Sequence, residues 1–310
     1  MTTETISTSK AGSPRKRKNK LQRGTVWWRY IVAAITILFA ISPVVYIIIA
    51  ACNPEGTLTT FNFTIHSFGL DNFRFLFGRH DLSSDVTYQA YPYMLWYRNS
   101  LMVSLLAATL QVIVATAAAY AFSRLHFKGR RLSLGALLLL QLFPSVLAFV
   151  SLFLIMQKIG AVFPFVGPGT WAGLILIYLG GSLGINTYLL KGFFDTIPRE
   201  LDEAATVDGA SANQIFMKII LPLAAPMLAV VMLLAFIGLM NEFLFASIFL
   251  TRSDQMTLAV GLRSLINGRY AQNWGIFSAG AILAGLPMVI MFQLLQRFIV
   301  EGLAAGSVKG

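Results

Sequence analysis

Hydrophobic positions along this 310-residue chain gather into six runs, at about 30–52, 101–122, 132–157, 171–190, 223–250 and 276–296. No run contains a lysine or arginine, and polar connections separate them. A helix needs about 20 apolar residues to cross a ~30 Å hydrocarbon layer, so each run is long enough. The pattern predicts six membrane-spanning helices. Pro43, Pro144 and Pro287 lie inside runs, and Gly180–Gly181 lie inside the fourth. Within a membrane such residues are tolerated, because neighbouring helices satisfy freed backbone groups and pack closely on small side chains. Asn241 and Glu242 interrupt the fifth run.

The connections set an orientation. With the N-terminus in the cytoplasm, the inner segments 1–29, 123–131, 191–222 and 297–310 hold eight, four, three and two of the 24 Lys and Arg. The outer segments 53–100, 158–170 and 251–275 hold three, one and three. Basic residues favour the cytoplasmic side of short loops, so both termini are expected inside. Three regions follow: a basic, disordered N-terminus at 1–29, a six-helix domain at 30–300, and a cytoplasmic tail at 301–310. The outer segment 53–100 is too long for a turn and is expected to carry short helices.

The inner connection 191–222 collects five of the chain's thirteen acidic residues: Asp195, Glu200, Asp202, Glu203 and Asp208. It reads as a short helix with both ends marked. Pro198 suits a first helical turn, and the acids beside it complement the positive end of the helix dipole. Gly209 can take the left-handed position that ends the helix. Ser211 and Gln214 form a capping-box pattern for a second helix, which Pro222 breaks. Leu201, Ala204, Ala205 and Asp208 fall at i, i+3, i+4 and i+7, with Glu200, Glu203 and Val207 beside them. Spacing leaves two readings: a solvated helical loop, or a helix docking into a groove lined with Arg or Lys.

Composition narrows the function classes. Hydrophobic residues make up 56% and charged residues 12%, with mean hydropathy +0.70, whereas soluble domains carry roughly 25% charge. A net charge of +11 sits mainly on the N-terminal flank, where it is explained by orientation and anionic lipid rather than nucleic acid. The first run is too long for a signal peptide and lacks a clear small-residue cleavage site. Cys52 stands alone, and His66, His80 and His126 are scattered, so no metal or disulfide framework is expected. No G-x-x-x-x-G-K-S/T loop for phosphates is present, and no nucleophile–base pair suggests an enzyme. An ion-coupled secondary transporter would need several buried titratable groups, and repeats are not evident. Glu242 alone qualifies, either as a pathway carboxylate or as an interfacial residue with local hydrogen bonds. Gln111, Asn186, Thr187 and Tyr188 are further polar residues on the runs.

The stretch "EAATVDGASANQIFMKIILPLAAP" resembles the EAA loop of permease subunits of bacterial ATP-binding-cassette importers. Both alanines, the glycine at its distance and the Leu221–Pro222 end are present. The segments "GLDNFRFLF", "YAFSRLHFKGRR" and "NEFLFASIFL" are similar to carbohydrate importer permeases. More narrowly, "QLFPSVLAFVSLF", "YLGG", "KGFFDTIPRELDEAA", "TLAVGL" and "FIVEGLAAGSVKG" are similar to the MalG family of smaller maltose permease subunits. The basic segment before residue 27 departs from the family pattern.

The resemblance implies an all-α membrane protein with the type I ABC importer permease (MetI-like) fold, six transmembrane helices and a cytoplasmic coupling helix. It implies a transporter subunit of the bacterial cytoplasmic membrane that imports carbohydrate, with maltose or maltodextrin favoured over another oligosaccharide such as trehalose. The implied partners are a second, MalF-like permease subunit, a MalK-like ATPase homodimer, an extracytoplasmic sugar-binding protein and membrane lipid. ATP and Mg would belong to the ATPase, leaving this chain without a cofactor. Carried over by position, Glu203, Ala204, Ala205, Asp208 and Gly209 would couple to the ATPase. Gly306, Val308, Lys309 and Gly310 would form a tail contacting it. Ser264, Asn267, Gly268, Tyr270 and Asn273 would reach the binding protein, and Glu242 would lie on the pathway.

Overall fold

A computed structural model describes the backbone of residues 27–53, 68–78, 92–267 and 274–307, and their side chains except at 145, 182 and 299–307. Every regular element among the described residues is helical. In chain order the α-helices are α1 (Trp27–Ala51), α2 (Asp71–Leu76), α3 (Tyr93–Arg124), α4 (Arg130–Leu142) and α5 (Ser145–Val162). Then come α6 (Trp171–Ser182), α7 (Ile185–Thr196), α8 (Glu200–Val207), α9 (Ala212–Ile215) and α10 (Leu221–Leu223). The last four are α11 (Ala225–Met240), α12 (Leu244–Phe249), α13 (Leu258–Ser264) and α14 (Trp274–Ser307).

Of the described residues, 27–46, most of α1, form one unit. Its apolar side chains, Phe39 and Leu38 among them, are exposed. The second unit, from Ile47 onward, is organised around α3. The buried face of α3 is built from small residues, including Ser100, Ser104, Ala107, Ala108, Ala115 and Ala119, and small residues let helix backbones approach closely. At one end of α3, Tyr93 and Trp96 pack with Leu76, Leu258, Leu262, Ile276 and Ala279. In the middle, Val103 and Ala107 meet Met156, Leu174, Tyr178 and Phe249. At the other end, Ala115 and Ala119 meet Leu190, Phe194, Ile197, Ile215 and Ile220. The Gln111 amide, buried among these layers, donates to Tyr178 O at 2.8 Å.

By length and composition, three helices can each cross a membrane: α1, α3 and the Trp274–Phe298 part of α14. Three further spans are bent pairs, with α4 and α5 meeting at 105°, α6 and α7 at 50°, and the α9–α10 stretch and α11 at 74°. Counting each pair once makes the six expected spans. Each bend has a local cause. Pro144 caps α5 without an N–H to give. Gly184 takes φ −89° and ψ −104° between α6 and α7; a Cβ there would lie 1.8 Å from Gln141 Nε2. Pro226 sits in the first turn of α11.

Several expected boundaries shift, the third span running to Val162 and the fourth to Thr196. The fifth span reaches back to Ala212 and stops at Met240, so 244–249 is a separate helix rather than its continuation. Asn241 and Glu242 end it because Glu242 turns back to cap α12. The second span lengthens to 32 residues, and α14 runs through the expected tail boundary at 301 as far as Ser307. In the outer segment 53–100, α2 is one short helix of the expected kind; residues 54–67 and 79–91 lie outside the described residues.

Candidate coupling site

The acidic connection forms α8, with some details of its start differing from the sequence reading. Pro198 is not in the first turn; Arg199 is the N-cap and Pro198 precedes it. Ile197, immediately before the proline, is extended and buried, the conformation a following proline imposes. The carbonyls of Pro198 and Arg199 then accept from Leu201 N at 3.4 Å and Asp202 N at 2.9 Å. Glu200, Asp202 and Glu203 fill the first turn, favourably placed at the dipole's positive end.

The C-terminal end matches expectation. Gly209 has φ +82°, and its N–H donates to Thr206 O at 3.0 Å while Ala210 N–H donates to Ala205 O at 2.9 Å. This paired pattern is the Schellman closure. Ser211 then caps α9 reciprocally: its N–H donates to Gln214 Oε1 at 2.8 Å, and Gln214 N–H donates back to Ser211 Oγ at 3.4 Å.

The predicted face of α8 divides. Ala205 packs against the cluster containing Ile197 and Ile215, but Leu201, Ala204 and Asp208 are exposed. Asp202, not Leu201, shares the inward side with Ala205, because a cation draws it there. Arg124 Nε, at the last residue of α3, lies 2.8 Å from Asp202 Oδ2. Only 6% of the Arg124 side chain is exposed, and its Nη2 also donates to Ile197 O at 2.9 Å. Around this pair, Ser123 Oγ donates to Asp195 Oδ1 at 2.7 Å, and Lys191 pairs with Asp195. Arg199 Nη2 and Arg130 Nη2 donate to Ser123 O at 3.2 and 3.3 Å. The outward side of α8 therefore presents Glu203, Ala204, Val207 and Asp208, with Val207 88% exposed. Chemically this is a short, firmly seated helix offering carboxylates around small apolar side chains.

Arg124 and Asp202 were missed in the sequence reading. By its residue chemistry Arg124 counts in the sequence toward the basic segment 123–131, and Asp202 toward the helix dipole, with no pairing between them. The available signal was charge complementarity between two connections assigned to the same side of the membrane.

Glu242 is a local cap with one long-range bond. Its Oε1 accepts from Phe245 N at 2.9 Å and its Oε2 from Ala246 N at 3.1 Å. Tyr178 Oη, on α6, donates to Oε2 at 2.5 Å. The carboxylate thus fastens α12 to α6. Ser264 ends α13, with its hydroxyl on Gly261 O, and Asn267 is exposed just beyond. Both lie toward the Trp96 end of α3, away from α8 at the Arg124 end. Gly268, Tyr270 and Asn273 fall outside the described residues, as do Val308, Lys309 and Gly310, while Gly306 lies on the helical backbone of α14.

The fold is shared with a solved bacterial ABC transporter involved in import of the acidic polysaccharide alginate: TM-score 0.68 at 20% identity, covering 90% of this chain and 97% of that one. Among characterised sequences, the maltose/maltodextrin transport system permease protein MalG of Vibrio vulnificus strain YJ016 is 39% identical over 92% of this chain and 96% of its own length. The galactooligosaccharides transport system permease protein GanQ of Bacillus subtilis is 37% identical, covering 91% and 94%. The maltodextrin permease protein MdxG of the same organism is 43% identical over 70% of this chain and 76% of its own. Residues 111–304, which include the whole of α8 and its seat, match the family of binding-protein-dependent transport system inner membrane components. With that match over residues 111–304 and relatives along nearly its full length, the chain belongs to that family.

Proposed function

We propose that this chain is one of two permease subunits of an ATP-driven carbohydrate importer, carrying maltose or maltodextrin, and that α8 is the helix on which a partner ATPase acts. The observation that carries the reading is the division of α8: an inner side locked by Arg124, Asp202 and Ala205, and an outer side presenting Glu203, Ala204, Val207 and Asp208. A helix seated this way can receive a push without being displaced from the bundle. The names of MalG and MdxG relatives support the sugar.

In this reading Glu203 pairs with an arginine of a MalK-like ATPase homodimer, which holds ATP and Mg. A MalF-like subunit completes the pathway, and a sugar-binding protein delivers substrate from outside. Residues 264–273 meet the binding protein, the tail at 306–310 meets the ATPase, and both termini are cytoplasmic. Glu242 positions α12 beside the pathway through its bond to Tyr178. ATP-driven closure favours one of two permease states, which requires that the ATPase bind those states with different affinity.

The test is reconstitution in proteoliposomes with the neighbouring permease, ATPase and binding protein. Uptake of maltotriose should demand ATP and the binding protein, and Glu203→Ala should lower it at least tenfold at normal complex abundance. A charge-assisted interfacial contact is worth roughly 2–5 kcal/mol by truncation. Uptake driven by a proton gradient without ATP would overturn the transport reading. Uptake of galactooligosaccharides in place of maltotriose would correct the sugar.

A further inference from the structure

The helix that carries Arg124 is anchored by polar bonds at both ends. α3 has 32 residues, about 48 Å at 1.5 Å rise per residue. At its inner end Arg124 holds Asp202 in α8 and Ile197 O in the lead-in to α8. At its outer end three side chains grip the turn at 252–256 and the first residue of α13. Trp96 Nε1 donates to Ser253 O at 2.8 Å. Asn99 Nδ2 donates to Asp254 O at 2.9 Å and Met256 O at 3.1 Å. Ser100 Oγ accepts from Leu258 N at 2.6 Å. Asn99 is fully buried, and Trp96 and Ser100 nearly so. The gripped segment leads directly into α13 and the connection that follows it.

We propose that α3 is the rod that carries movement of α8 to the 253–258 segment, and that Arg124 and Asp202 are positioning residues for coupling ATP hydrolysis to transport. This rests on the transport reading above. The physical argument is that apolar contacts permit sliding, whereas hydrogen bonds at both ends of a helix, joined at the Arg124 end by an ion pair, do not. A guanidinium only 6% exposed is weakly screened by water, and it spans the lead-in and body of α8 together. Asp202 and Glu203 are adjacent in sequence but face different ways, one toward Arg124 and one into the open. The two roles, transmission and docking, are therefore separable by substitution.

The experiment measures ATP hydrolysis and maltotriose uptake in the same proteoliposomes holding the full complex. Asp202→Asn should assemble at wild-type abundance, hydrolyse ATP within about twofold of wild type, and lose at least tenfold in sugar moved per ATP. Glu203→Ala should instead lose binding-protein-stimulated hydrolysis. Arg124→Asp alone should uncouple as Asp202→Asn does, and the Arg124→Asp/Asp202→Arg exchange should restore the ratio to within about threefold. Asn99→Leu, which removes the outer grip, should uncouple in the same way. A wild-type ratio in Asp202→Asn or Asn99→Leu overturns the proposal, as does an exchange variant no better than Arg124→Asp. Loss of assembled complex in Asp202→Asn also overturns it, since the pair is then an assembly element. Failure of the wild-type complex to take up sugar with ATP is a separate result, and it removes the transport reading instead.

Discussion

Gly209 adopts φ +82° with no atom within 4 Å of where a Cβ would stand, so the demand for glycine is conformational rather than steric. A left-handed backbone costs an L-residue roughly 1–2 kcal/mol, less for asparagine and more for a β-branched side chain. Gly209→Val should depress uptake well below wild type at equal membrane abundance, while Gly209→Asn retains most of it; equal uptake by the two variants contradicts this. Glu242 gives a second residue-scale test. Glu242→Ala removes a cap, worth about 1 kcal/mol, and leaves Tyr178 Oη without its acceptor. Tyr178→Phe removes only that bond. Melting of the purified complex in detergent should fall further for Glu242→Ala than for Tyr178→Phe, and the reverse order would show that the cap contributes little. Both features were written in the sequence, Gly209 as a helix stop and Glu242 as an odd carboxylate. The bond from Glu242 to Tyr178 was not, since it joins side chains 64 positions apart.

Among the elements, α3 decides most of the packing, through close approach rather than bulk. Gly261 on α13 lies against the Trp96 ring, and a Cβ there would be 2.1 Å from Trp96 Cε3. Trp96 is 2% exposed and pinned by Ser253 O, so it cannot swing away. Gly261→Ala should destabilise the Trp96 end of α3 by about 1–3 kcal/mol, the usual cost of overpacking, seen as a lowered melting temperature; an unchanged melt would mean that the ring yields. The existence of the spans and the C-terminal end of α8 were legible, because apolar run length and capping residues are local signals. The bends between α4 and α5, α6 and α7, and α10 and α11 were only partly so. Pro144 marks where a helix can break, whereas the break expected at Pro222 falls beyond it, at Ala224 before Pro226, and the angle is set by what packs against it. The inward side of α8 was misread for the same reason. In two helical turns, spacing alone ranks Leu201 with Ala205, and Arg124 on another element selects Asp202 instead.

For the molecule as a whole, the charge asymmetry of the connections predicts a sidedness that labelling can check. Cys52 is the sole cysteine, so Cys52→Ser supplies a thiol-free background. Val207→Cys on α8 should react with a membrane-impermeant maleimide in inside-out vesicles, and Phe165→Cys in the connection between α5 and α6 in right-side-out ones. Both positions are well exposed, at 88% and 68%. Reaction of both from the same side would refute the six-span topology. Run length and the capped acidic loop were enough to indicate a helical membrane protein, and the basic flanks to predict α8 on their side, because hydrophobic thickness, charge bias and caps act within a few residues. Tertiary packing alone established that Arg124 locks Asp202, that Glu242 holds Tyr178, and that α3 ties both faces of the bundle together. Those are bonds between residues far apart in the chain, and nothing in local composition distinguishes the partner that folding brings near from those it leaves behind.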